Sequence, residues 1–102
     1  MKWKMSEKDR VVLTPAACFG HDLENYYIDI ELPGVDKGHI ELTVSEQGIC
    51  VVGSREDSEL VGCWYLAHKV NEDKARAKYS NGMLSVVIPL QQPPEGKKIK
   101  IE

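Results

Sequence analysis

The chain has 102 residues, 42% of them apolar and 28% charged, and a formal net charge of −3. That size and balance fit one soluble globular domain with a modest core and exclude a disordered chain. The acidic balance argues against nucleic acid as a main partner, and no apolar run approaches the ~18 residues of a membrane span.

The first ten residues, Met1 to Arg10, lack an apolar core and do not read as a secretory signal. Residues 1–14 read as a short polar arm, with Trp3, Met5 and Val11-Val12-Leu13 interspersed. Those apolar residues fit two roles equally well: an arm that binds another protein, or an edge strand before Pro15 plus a stray aromatic. Ala16 to Phe19 reads as a brief strand closed by Gly20-His21-Asp22.

Alternation begins at Tyr26. Tyr26, Ile28, Ile30 and Leu32 share one face of an extended chain, and Asp29 and Glu31 share the other. Pro33-Gly34 ends that strand. His39 to Ser45 alternates again, with Ile40, Leu42 and Val44 inward. Glu46-Gln47-Gly48 is a short turn whose glycine permits a positive φ, and Ile49 to Ser54 is a strand apolar on both faces.

After the polar turn Arg55–Glu59, Leu60 to Val70 reads as one long strand. It puts Leu60, Trp64 and Leu66 on one side and Val61, Cys63 and Tyr65 on the other. Lys74 to Tyr79 has residues that suit helix or strand. Six residues are few for a helix, and Ser80-Asn81-Gly82 is a hairpin turn into Met83–Leu90, so the strand is preferred. Seven or eight short strands at this spacing predict an all-β antiparallel sandwich over residues 15–90. Residues 91–102 are a tether stiffened by Pro93-Pro94 and ending in Ile99-Lys100-Ile101. Two isoleucines two apart point the same way in an extended chain and form an apolar peg.

Chemistry-bearing motifs are few. The sequence has no phosphate-cradling glycine loop followed by Lys-Ser/Thr, no G-x-S-x-G elbow and no H-E-x-x-H pattern. An enzyme is not expected, and neither is a cofactor. Cys18 and His21 carry half of a zinc-ligand spacing with no second pair, so no metal site is expected. His39 and His68 read as solvated, and Lys97, Lys98 and Lys100 as a solubilising tail. The odd set Cys18, Cys50 and Cys63 reads as three reduced, half-buried thiols in a cytoplasmic protein.

Four ordered segments resemble the α-crystallin domain of small heat-shock proteins. They are Ile28–Lys37 with Ile40–Val44, Val51–Arg55, Asp73–Leu84 with its Ala, Asn-Gly and Leu, and the terminal Ile99-Lys100-Ile101. The resemblance spans roughly residues 15 to 102. It implies an immunoglobulin-like antiparallel β-sandwich, ATP-independent holding of unfolding client proteins under stress, and a homo-oligomer. It also implies that Ile99 and Ile101 anchor in a groove of a neighbouring subunit, with Ile40, Leu42, Val44, Ala75 and Ala77 as candidate lining residues.

Three features depart from the family's pattern. Only Glu56 to Cys63 separate the segments between which bacterial, archaeal and plant members carry a swapped loop. That argues against a swapped dimer and leaves an edge-to-edge dimer through Leu60, Val61, Cys63, Trp64, Tyr65 and Leu66. The arginine usual before the position of Leu66 is missing, with Gly62 near its place, and the N-terminal region is short. Two other readings stay open. Ile99 and Ile101 complete an edge strand of their own sheet, or the chain is a monomeric co-chaperone or adaptor domain of the related CS type that binds a defined folded partner.

Overall fold

In the computed structural model, which describes residues 10–91 and 96–102, the alternating segments become eight strands. They are β1 (Val11–Leu13), β2 (Ala17–His21), β3 (Asn25–Glu31), β4 (Ile40–Ser45), β5 (Gly48–Ser54), β6 (Ser58–Tyr65), β7 (Arg76–Ser80) and β8 (Met83–Pro89). Two single-turn 3-10 segments, Lys37–His39 and Glu72–Lys74, lead into β4 and β7. The expected roles of Trp3, Met5 and Pro93-Pro94 fall outside the described residues.

The strands form two four-stranded sheets, β1-β6-β5-β4 and β2-β3-β8-β7, as the all-β sandwich reading requires. Every ladder is antiparallel except the short parallel one that lays Val11–Leu13 along Ser58–Leu60. The edge strand expected before Pro15 is therefore present. Tyr26, Ile28, Ile30 and Leu32 are all buried and meet Ile49, Val51, Leu60, Leu84, Val86 and Ile88 in one core. This is what a half-buried strand with period-two patterning must do, since a one-residue slip would expose the whole set.

The hairpin at Asn81-Gly82 has positive φ at both residues, 52° and 77°, the twist that matches two antiparallel strands. Among the described residues the positive-φ glycines are Gly34 and Gly82; Gly48 is not one. Gly48 instead sits where an added Cβ would press on the Ser45 Oγ at 3.0 Å. Its smallness is used there, not the left-handed region.

The strand expected to run from Leu60 to Val70 stops at Tyr65. Beyond that point the backbone donors turn to other acceptors. The Leu66 amide donates to the Gln47 carbonyl (3.0 Å) and the Val70 amide to the Glu46 carbonyl (2.7 Å). The Ala67 amide donates to the Tyr26 hydroxyl at 2.9 Å. Leu66 and Val70 are buried, so the segment folds over the end of the core instead of extending the sheet.

The cysteines also differ from expectation. Cys50 and Cys63 pair across the β5–β6 ladder, Cα atoms 4.1 Å apart, and form a disulfide. Cys18 alone is a free thiol, exposed on β2. Ser54 pairs with Glu59 across a tight turn at 55–58, and that register brings the thiols together. Arg55 fixes the turn: its amide donates to the Ser58 carbonyl (2.8 Å), its Nε to the Ser58 Oγ (2.9 Å) and a terminal nitrogen to the Pro33 carbonyl (2.9 Å).

Candidate functional site

Two open borders of the sandwich hold the residues singled out from sequence. The first lies between β4, the outer strand of one sheet, and β7, the outer strand of the other. Ile40, Leu42 and Val44 stand opposite Gly53, Val51 and Ile49, so they share the interior phase of the sheet. They remain half-buried because, among the described residues, no strand lies beyond β4.

From the other sheet, Ala75 and Tyr79 are half-buried against the same core, and Ala77 lies exposed between them in the same strand phase. Arg76 and Lys78 take the opposite phase. The Tyr79 hydroxyl, with one proton to donate, lies 2.7 Å from both the Leu32 and the Val35 carbonyl oxygens. Val35 and Leu32 in turn pack where a Cβ on Gly53 would fall, 3.3 Å away, beside Ile40. This chain of contacts sets β7 against the start of β4. A border lined by aliphatic side chains with a bare alanine in its middle can accept branched aliphatic groups.

The peg residues Ile99 and Ile101 are 76% and 92% exposed and lie outside both sheets. The chain thus presents a half-covered aliphatic border and an uncovered aliphatic pair.

The second border is β6. Among the described residues its flank is covered by β1 from Ser58 to Leu60, and from Val61 to Tyr65 no strand pairs with it on that side. Leu60 and Leu66 are buried in the core, Leu60 on the stretch paired with β1 and Leu66 past the strand's end. The open stretch is Val61, Gly62, Cys63, Trp64 and Tyr65, with Tyr65 96% exposed. Trp64 folds its ring over Gly62, so closely that a Cβ there would clash with the ring carbons. An arginine at Gly62 would displace that ring.

The Trp64 ring also meets Phe19 of β2, centroids 5.6 Å apart, across the gap between the sheets. Beside them His21 contacts Tyr26 (5.2 Å) and His68 (4.7 Å). Sequence reasoning missed this aromatic cluster. The usable signal was that Phe19 and Trp64 both fall in the inward phase of strands at sheet borders.

Two carboxylates have their pKa held below the ordinary range. Asp22 accepts hydrogen bonds from the amides of Asn25 (2.7 Å) and Glu24 (2.8 Å) and from the Tyr27 hydroxyl (2.9 Å), which favour its charged form. Glu46 is lowered first by the hydrogen bond from Gln91 (3.0 Å) and then by the charge of Lys69 (3.6 Å). Both stand at turns and serve the fold. Among the described residues, no group of three or more His, Cys, Asp or Glu is placed to hold a metal ion, and no helix is long and apolar enough to cross a membrane.

The comparisons with known proteins agree with this architecture. The chain is 26% identical over 111 residues to the probable 15 kDa heat shock protein of Leptospira interrogans, covering 94% of this chain and 85% of that one. It is 26% identical over 106 residues to small heat shock protein C4 of Rickettsia felis, covering 88% of this chain and 65% of that one. Its fold resembles that of heat shock protein 16.0 from Schizosaccharomyces pombe, with a TM-score of 0.71 at 23% identity, covering 88% of this chain and 99% of that one. Residues 20–102 match the Hsp20/alpha crystallin family, and with the sandwich described above the chain belongs to that family of small heat-shock proteins.

Proposed function

We propose that this protein is an ATP-independent holdase that binds partly unfolded proteins and keeps them from aggregating, and that it assembles through its own C-terminal peg. The observation that carries the reading is the match between the half-covered β4/β7 border and the exposed Ile99 and Ile101. Residues 15–90 form the body, 91–102 the tether and anchor, and residues 1–14 a short arm whose end joins the body as β1. The expected compartment is the cytoplasm, and neither a catalytic site nor a cofactor is part of the reading.

The mechanism is competition for apolar surface. In the resting assembly, Ile99 and Ile101 of one copy cover Ile40, Leu42, Val44, Ala75 and Ala77 of another, and Val61–Tyr65 edges pair. Eight residues, Gln91 to Lys98, span at most ~26 Å, enough reach to leave the home subunit. Burial of two isoleucines contributes about 3–6 kcal/mol before losses, and ordering the tether and association entropy offset much of it. Each docking is therefore weak and exchangeable, while several in one assembly reinforce one another through effective concentration. Warming releases the pegs, and the freed borders bind exposed apolar segments of clients.

The short 55–57 connection favours a second reading, a monomeric CS-type adaptor, because it leaves no loop to swap. Two measurements decide. Aggregation suppression on a heat-labile enzyme tests holding, and light scattering of the full chain beside Ile99→Ser/Ile101→Ser tests the peg. Suppression by an assembly whose mass falls in the variant supports the holdase. A monomer near 11.5 kDa at high concentration, with no suppression, supports the adaptor.

A further inference from the structure

Cys50 and Cys63 lie on the outward face of the β4–β5–β6 sheet, Cys63 exposed and Cys50 half-buried. With Thr43, Gly48 and Tyr65 they line an open, mainly apolar depression of about 400 Å³, which gives small thiols and disulfides direct access to the sulfurs. Cys18 stands on β2 in the opposite sheet. The position within β6 matters more than the bond itself. Cys63 is at the middle of Val61–Tyr65, the stretch held by a ladder on one side only. A strand with one neighbour opens locally at lower free energy than one with two, and here the sulfur bridge is a covalent tie across that single ladder.

We infer that Cys50 and Cys63 form a reversible dithiol–disulfide site, modified by low-molecular-weight disulfides, and that the bond controls how firmly the Val61–Tyr65 edge is held. The thiolate of Cys63, the more exposed, attacks a small disulfide, forming a mixed disulfide and releasing one thiol. The Cys50 thiolate then displaces the second thiol, closing the Cys50–Cys63 bond. Two protein thiols are oxidised and one small disulfide is reduced to two thiols. A dithiol reductant reverses both steps. Accessible disulfides equilibrate with the surrounding thiol pool, whereas a permanent structural bridge would be shielded from it. The consequence for assembly rests on the edge-pairing reading above: the oxidised edge pairs more firmly with a second copy, and subunits exchange more slowly.

The test uses the full chain equilibrated with glutathione disulfide and then with dithiothreitol. Intact mass and peptide mapping should show loss of two hydrogens, a Cys50–Cys63 linked peptide, and recovery on reduction. Cys18→Ser should behave the same, and Cys63→Ser should lose the effect. Amide exchange at Val61–Tyr65 should slow roughly tenfold in the oxidised state, with little change in β3 and β8. Chains joined through Cys18, a stable glutathione adduct with Cys50 left free, or identical edge exchange in both states would overturn the inference. Aggregation suppression measured on the same two samples keeps the readings separate. Redox-dependent exchange with no suppression in either state leaves this site standing and removes the holdase.

Discussion

The Tyr79 hydroxyl lies 2.7 Å from the Val35 carbonyl oxygen and joins the outer strand of one sheet to the loop that feeds the outer strand of the other. The same hydroxyl is equally near the Leu32 carbonyl. Tyr79→Phe keeps the ring against the core and removes this hydroxyl; the Leu32 carbonyl keeps the Val35 amide at 3.3 Å, while the Val35 carbonyl loses the Tyr79 donor. Stability should fall by about 1–2 kcal/mol, read as a drop in thermal midpoint. The β4/β7 border should also loosen, seen as faster amide exchange in β7.

Ala77 separates docking from folding. It is exposed and small, so Ala77→Lys should change stability by no more than about 0.5 kcal/mol. The lysine would nonetheless stand in the middle of the aliphatic border. Light scattering should show a smaller assembly at an unchanged thermal midpoint.

Gly62 is a packing position. Gly62→Ala puts a methyl where the Trp64 ring lies, and that ring is itself held against Phe19. Overpacking of this kind costs about 1–3 kcal/mol. Denaturant unfolding should show the loss, accompanied by a shift in Trp64 fluorescence as the ring leaves Phe19.

Acid should act through Asp22 and Glu46. Each has a folded-state pKa below its unfolded one, so its stabilisation is complete above the unfolded value, about 4, and is lost as pH falls through the lower folded value. The thermal midpoint should therefore decline below about pH 4. Asp22→Asn should flatten part of that decline, because the amide does not titrate over this range.

Much of this fold was legible because strands write themselves in period two. Tyr26 to Leu32, Ile40 to Val44 and the Asn81-Gly82 hairpin each carry a local pattern with one physical solution. What depended on distant partners was less legible. Nothing near Leu66 announces that its amide will leave the ladder for Gln47, so the apolar pattern runs on past the strand's end at Tyr65. The Cys50–Cys63 pairing follows from a register set by the tight turn at 55–58, and a turn shifted by one residue moves the cysteines out of opposition. The β4/β7 border was partly legible: the types were evident, but which way Ala77 and Leu42 point is a property of two sheets meeting.

The central claim is that Ile99 and Ile101 of one copy lie on the β4/β7 border of another. Mixing copies with labelled isoleucine methyls and copies with labelled leucine and valine methyls, then recording isotope-filtered nuclear Overhauser contacts, tests it directly. The account predicts contacts from Ile99 and Ile101 to Leu42 and Val44 between differently labelled chains. Contacts confined within one chain, or none in an assembly that persists, would contradict it.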